Sequence, residues 1–267
     1  MYSLTRIFFA FIKNPLIDTL NMLPLSSSRI FFRKSNLFFL LVLIYFLLVS
    51  GLPVEAQAPI KKTLTPEETS KRLAKSLEAN PWTNINGFRS AKFGMNEKSV
   101  YRAITKDFKL AKSKVKKDTN PIEQNTFLNI TVPDLFTTGG TAKVGYIFGH
   151  KSKKLMHINV IWGKGATENV DGKGIVDTAN LLRGHFLKKR YKAKGLVANG
   201  RMSDVQTIVF RGRDKKDRMV LLLLSTQAKQ EGQTDEQVIN NTSLVLSYIS
   251  NPDKPDVRDI SIKDDEF

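Results

Sequence analysis

"TAKVGYIFGHKSKKLMHINVIW" (residues 141–162) decides the fold. Ala142, Val144, Tyr146 and Phe148 recur at every second position, and Met156, Ile158, Val160 and Trp162 do so again after the polar stretch "HKSKK" (150–154). A period of two lines one face of a strand with apolar side chains. Two such runs around a short polar turn predict an antiparallel hairpin with one face on a core. Upstream, "NTFLNITV" (125–132) places Leu128, Ile130 and Val132 in the same alternation, with Pro133 closing the strand and Gly139-Gly140 opening the next.

On either side the period changes to that of a helix. Before the strands, "FGMNEKSVYRAI" (93–104) carries Val100 and Ile104, and then Phe108, on one helical stripe with Tyr101 at its edge. Asn96 is an N-cap residue, and Glu97 complements the positive end of the helix dipole. Gly94 allows the sharp turn into the helix, and Met95 is placed to staple against Val100. These residues are accounted for by helix initiation, with no catalytic group needed. After the strands comes the loop "GKGATENVDGKG" (163–174). Ile175, Val176, Ala179, Leu182 and Phe186 then form a second helical face that runs into the basic segment "LKKRYKAK" (187–194).

Three further strands follow: "VQTIVFRGR" (205–213) and "RMVLLLLST" (218–226) around the turn "DKKD", then "SLVLSYIS" (243–250). The run Met219–Leu224 lacks alternation and predicts a central strand buried on both faces. The fold class is α+β, with helices packed on antiparallel sheet. The order of a helix and three strands recurs, over 96–162 and 175–250, as two pseudo-repeats within a domain of residues 96–250. Residues 59–95 read as a linker with one short helix, introduced by Thr65-Pro66-Glu67-Glu68 and carrying Leu73 and Leu77. Residues 251–267, with two prolines and "KDDEF", read as a disordered acidic tail.

Residues 1–58 have the character of an address. Arg29, Arg33 and Lys34 precede thirteen uninterrupted apolar residues, Leu37–Val49, and Ala56-Gln57-Ala58 follows. Basic flank, apolar core and small-x-small end are the parts of a secretory signal peptide. The competing expectation is an uncleaved inner-membrane anchor over 37–54, although a spanning helix needs about 20 apolar residues. Two expectations account for the unusually long leader: translation that starts at Met22 rather than Met1, which is the favoured one, or an organelle presequence at the start of the chain. Without residues 1–58 the chain keeps 37 Lys and Arg against 23 Asp and Glu, a net charge of +14. That charge implies attraction to anionic surfaces, such as membrane, lipopolysaccharide or acidic polymer. Export makes nucleic acid a poor candidate partner. The chain has no cysteine, which excludes disulfides, thiolate metal sites and a cysteine nucleophile.

No motif announces an enzyme. The loop at 163–174 fails the phosphate-loop pattern, because Thr167 stands where the first glycine belongs and Gly174 follows Lys173. His150, His157 and His185 have no mutual metal spacing, and no serine sits in a nucleophile-elbow frame. No catalytic, cofactor or metal-binding residue is therefore assigned. The candidate surface is basic: Lys188, Lys189, Arg190, Lys192, Lys194, Arg211 and Arg213.

The stretch Gly94-Met95-Asn96 to Val100, followed by short hairpin strands, resembles the BamE (SmpA/OmlA) family of small bacterial envelope modules over about residues 85–162. Gly94, Met95 and Val100 match that family's Gly-Met-Thr-x-x-x-Val helix start. Asn96 replaces the threonine, and the cysteine that lipidates those proteins is missing. The resemblance implies a periplasmic α+β accessory module. The expectation is an exported, non-enzymatic envelope protein, without cofactor, that binds a protein partner or an anionic surface. A periplasmic, hydrolase-like enzyme is the alternative. A histidine and a carboxylate meeting in a cleft would favour the enzyme, and a basic or apolar groove without them would favour binding.

Overall fold

The computed structural model describes residues 64–136 and 138–258. The leader, the apolar run Leu37–Val49, the Ala56-Gln57-Ala58 site and the last nine residues lie outside the described residues. Among the described residues no helix is long and apolar enough to cross a membrane.

The protein is α+β, with an eight-stranded antiparallel sheet. In chain order, α1 spans Pro66–Ser76, β1 Gly87–Phe88, β2 Ala91–Lys92 and α2 Glu97–Phe108. The first meander follows as β3 Lys116–Thr119, β4 Thr126–Phe136, β5 Gly140–Phe148 and β6 Leu155–Gly163. Then come α3 Gly172–Phe186, β7 Val197–Ser203, β8 Gln206–Arg213, β9 Met219–Ser225, α4 Asp235–Ile239 and β10 Ser243–Ile249. Across the large sheet the order is β3-β4-β5-β6-β10-β9-β8-β7. Each half is thus a helix followed by four strands, not three, and the last strands of the two halves pair at the centre. The additional strands β3 and β7 are the two edges. All four residues of β3 are exposed, so no apolar alternation marked it in the sequence.

One row of the sheet shows how the core is built. Ile130, Val144, Val160, Leu246, Leu222 and Phe210 are successive register partners across six strands, and each is at most 2 % exposed. Helix α2 adds Val100, Ala103 and Ile104 to the same core, and α3 adds Ile175, Ala179, Leu182 and Phe186. Strand β9 is buried on both faces from Met219 to Leu223, which explains its unbroken apolar run.

Four sequence expectations change in detail. Pro133 does not end its strand: β4 continues to Phe136 through a register shift, the kind of irregularity that accommodates a missing N–H. Another shift, after Ile147, turns Leu155 into the main core and sends Met156 to a separate cluster with Phe127 and Ile147. The described part of 59–95 is no linker, because Ile85, Phe88 and Ala91 are buried in the core and Phe88 stacks on Tyr248 at 5.9 Å. Nor is 251–257 a loose tail. Asp253 takes a bidentate pair of bonds from Arg213 (2.6 and 2.9 Å), and Asp256 accepts from the backbone N–H groups of Lys151 and Ser152 (2.9 and 2.8 Å). The acidic residues are held because each finds a cation or free N–H groups.

The helix starts form as their sequences dictate. Thr65 and Glu68 make a reciprocal capping box, and the Asn96 side chain accepts from Ser99 N–H at 3.0 Å. Replacing Asn96 with alanine should cost about 1 kcal/mol through the lost cap. Val100→Asp should cost several kcal/mol, because Val100 is wholly buried and the new charge has no partner there. Urea denaturation of the purified variants gives both values; similar losses for the two would contradict this packing.

Candidate anion-binding surface

The basic segment after α3 is bound to a loop from the start of the described chain. Arg190 N–H donates to Pro81 C=O (2.9 Å), and Thr83 N–H donates to Arg190 C=O (3.0 Å). The Asn80 amide reaches Leu187 C=O at 3.1 Å. These bonds place Trp82 beside Arg190. A second clamp comes from Asp214, 1 % exposed, at the start of the turn between β8 and β9. Its carboxylate accepts from Ile85 N–H (3.0 Å), Lys216 N–H (2.8 Å), Arg218 N–H (3.1 Å) and Arg218 Nε (2.8 Å). The Arg218 guanidinium also bonds the side chains of Asn84 and Asn86. One buried carboxylate therefore fixes the 84–86 loop against the turn.

Trp82 remains 36 % exposed within this rigid frame. The Arg190 guanidinium lies 4.8 Å and the Lys215 ammonium 4.9 Å from its ring centroid, within cation–π range. Beside it opens a cleft of about 360 Å³, lined among others by Trp82, His185, Phe186, Lys189, Tyr191 and Tyr248. Beneath it, Phe186 stacks on Phe210 at 5.3 Å and Tyr191 meets Phe210 edge-on at 5.0 Å. Gly212 permits this approach: a Cβ there would lie 2.5 Å from the Tyr191 ring. Burial pushes the Tyr248 phenol up to about 12 and raises Tyr191 as well, so both stay neutral at physiological pH.

The structure divides the seven predicted basic residues. Lys189 lines the cleft, Arg190 sits on Trp82 and pairs with Glu78 (3.1 Å), and Lys188 is exposed nearby. Lys192 pairs with Asp217 (2.7 Å), and Arg213 pairs with Asp253, whose carboxyl is held below its usual range by that hydrogen bond. Arg211 donates from Nε to Gly195 C=O (2.9 Å), and Lys194 is exposed. Strand alternation turns Arg211 and Arg213 away from the face occupied by Phe210 and Gly212. Of the seven, Lys189 and Arg190 are thus at the cleft, while Lys192, Arg211 and Arg213 each bond an acceptor of the chain. Trp82 and Lys215 are the residues that sequence reasoning missed: the aromatic and the cations around it come from three remote segments.

The glycine-rich loop serves packing. Asp171 caps α3 by accepting from Gly174 N–H at 3.0 Å, and a Cβ at Gly172 would lie 2.0 Å from Ile239 C=O. Of the histidines, His185 is exposed at the cleft, and His150 stands in the turn held by Asp256. His157 is 2 % exposed, and among the described residues neither ring nitrogen has a partner at hydrogen-bond geometry, with Asn159 its polar neighbour. No group of three or more His, Asp or Glu side chains able to hold a metal occurs among the described residues.

No protein-family model, curated protein or solved structure matches this chain. Its fold and surface define an α+β protein with a basic, aromatic-lined cleft at the C-terminal end of α3.

Burial pushes the His157 imidazole down to about 4, partly offset by the neighbouring Asn159 side chain. Between about pH 6.5 and 4 the unfolded chain binds a proton that the folded chain excludes, so stability falls as the pH drops through that window. The full effect is about 3 kcal/mol. Urea midpoints between pH 7 and 4.5 should fall less steeply for His157→Gln than for the native chain. Parallel curves would show that His157 is protonated as easily folded as unfolded.

Proposed function

We propose that this protein is an exported, non-enzymatic component of the bacterial cell envelope that binds an anionic surface through the cations around Trp82. The observation that carries the reading is their charge balance. Glu78, Asp214 and Asp217 are engaged in pairs with Arg190, Arg218 and Lys192. Lys188, Lys189, Lys215 and Lys216 have no acidic partner among the described residues; of these, Lys189 shares a cleft with the partly exposed Trp82 and Lys215 lies over its ring. A surface of unpaired cations attracts polyanions and speeds their encounter.

Two further features support the proposal. The cleft brings His185 together with aromatic rings and Lys189 but with no carboxylate, a combination suited to binding more than to proton transfer. The leader pattern in residues 29–58 supports export, and the likeness of Gly94–Val100 to the BamE family points to the same compartment. An acidic protein is the other kind of partner this surface accommodates.

The test is binding of the purified protein to vesicles rich in phosphatidylglycerol and to an acidic polymer. Binding should weaken sharply from low to physiological salt, where the screening length falls to about 8 Å. Lys188→Glu, Lys189→Glu and Lys215→Glu together should weaken it further with an unchanged melting temperature. Binding that ignores salt, or no binding to either target, would contradict the proposal.

A further inference from the structure

The Trp82 cleft has features that a merely sticky basic surface does not need. Its loop is held on both sides, by the Arg190 backbone pairing and by the buried Asp214 carboxylate. A preorganised aromatic side chain loses little conformational freedom on binding. About 360 Å³ lies at the small end of ligand pockets, with room for a sugar ring or a short saccharide. The lining combines Trp82, Phe186, Tyr191 and Tyr248 with the polar residues Thr83, Asn84 and His185. Lys189 lines one side, and Lys215 stands over the indole.

Each feature narrows the ligand. Arg190 and Lys215 at the Trp82 ring repel a cationic guest, so the cleft is no cage for an ammonium group. Its small volume and polar rim suit neither a long acyl chain nor a helix. A sugar ring, by contrast, offers an apolar C–H face to stack on an aromatic plate and hydroxyl groups around its edge. A carboxylate on that ring would meet Lys189 or Lys215 in a charge-assisted hydrogen bond.

We infer that the cleft lined by Trp82, Lys189 and Tyr191, with Lys215 over the Trp82 ring, binds an acidic sugar unit, such as a uronic acid residue of a polysaccharide. The inference rests on the anionic-surface reading and names the chemistry that the surface recognises. Lys215 is exposed and held over the indole by a cation–π contact alone, so its side chain leaves the ring for the guest's carboxylate. Trp82 then supplies selectivity for a sugar, and the two lysines supply selectivity for the acid.

The native chain reports on this site without a label. It has two tryptophans, and Trp162 is wholly buried in the sheet, so a soluble ligand reaches only Trp82. Titration with a galacturonic acid hexamer should change tryptophan fluorescence saturably, whereas a neutral maltose-series hexamer should bind at least tenfold more weakly. By calorimetry, Trp82→Ala and Lys189→Glu should each lower affinity for the acidic hexamer at least tenfold, with melting temperatures near that of the native chain. If Trp82→Ala fails to fold, Lys189→Glu with Lys215→Glu decides the matter. Equal binding of the two hexamers, tighter binding of adenosine monophosphate, or undiminished binding by the variants would overturn the inference. So would no binding of the acidic hexamer. Vesicle binding that needs Lys188, Lys189 and Lys215 but ignores Trp82→Ala would leave the surface function standing and remove the sugar site alone.

Discussion

The antiparallel pairing of β6 with β10 is the contact on which the rest of the structure depends. Seven register pairs, from Ser243↔Gly163 to Ile249↔His157, join two meanders that would otherwise be separate four-stranded sheets. Strand β6 is buried along its whole length, and β10 over most of its own. Left as edges, both would offer unsatisfied N–H and C=O groups beside apolar side chains, an invitation to aggregate. The true edges are of another kind. Strand β3 reads Lys116-Lys117-Asp118-Thr119, and β7 ends in exposed Arg201, Met202 and Ser203. The chain puts its polar strands outside and its most apolar strands at the junction, so only one arrangement of the halves satisfies both. The helices follow from it, since α2 and α3 complete a core that runs across the seam.

The candidate surface inherits its rigidity from that core. Phe186 at the end of α3 is fixed by Phe210 from β8, and Phe210 lies in the same row as Leu222, Leu246 and Val160. Tyr191 closes over Gly212 a few residues later and brings the basic segment back toward the sheet. From there, backbone bonds at Arg190 and the Asp214 carboxylate hold the loop that carries Trp82. Packed aromatics thus run from the centre of the sheet to Tyr191, and the neighbouring Arg190 links them to the exposed indole. The tryptophan is an anchored feature of the surface, and the lysines beside it are the adaptable part.

How much of this could be read in the sequence depended on whether a signal was local. Alternation at 141–162 and in the later strands marked the central hairpins, because one face of each strand must meet the core. The caps at Thr65 and Asn96 were legible because a cap is a bond between residues three apart. Strands β3 and β7 were not, since an exposed edge strand needs no apolar face. Residues 251–257 look like a tail in composition, yet Asp253 and Asp256 become ordered acceptors when distant parts of the fold supply Arg213 and two free N–H groups. The candidate site was half visible: the run at 188–194 gave its charge, but its centre, Trp82, reads as one more apolar residue in an irregular stretch. Only tertiary contacts across most of the chain bring it to Arg190 and Lys215.

The most direct test of the account is amide hydrogen exchange resolved along β6 and β10. If the pairing of these strands makes one cooperative sheet, their amides should be among the most protected, exchanging only through global unfolding. The central strands of both halves should then share the same opening free energy. Protection that differs between the halves, with β6 and β10 exchanging as readily as the edge strands β3 and β7, would mean two independent sheets and would contradict the account.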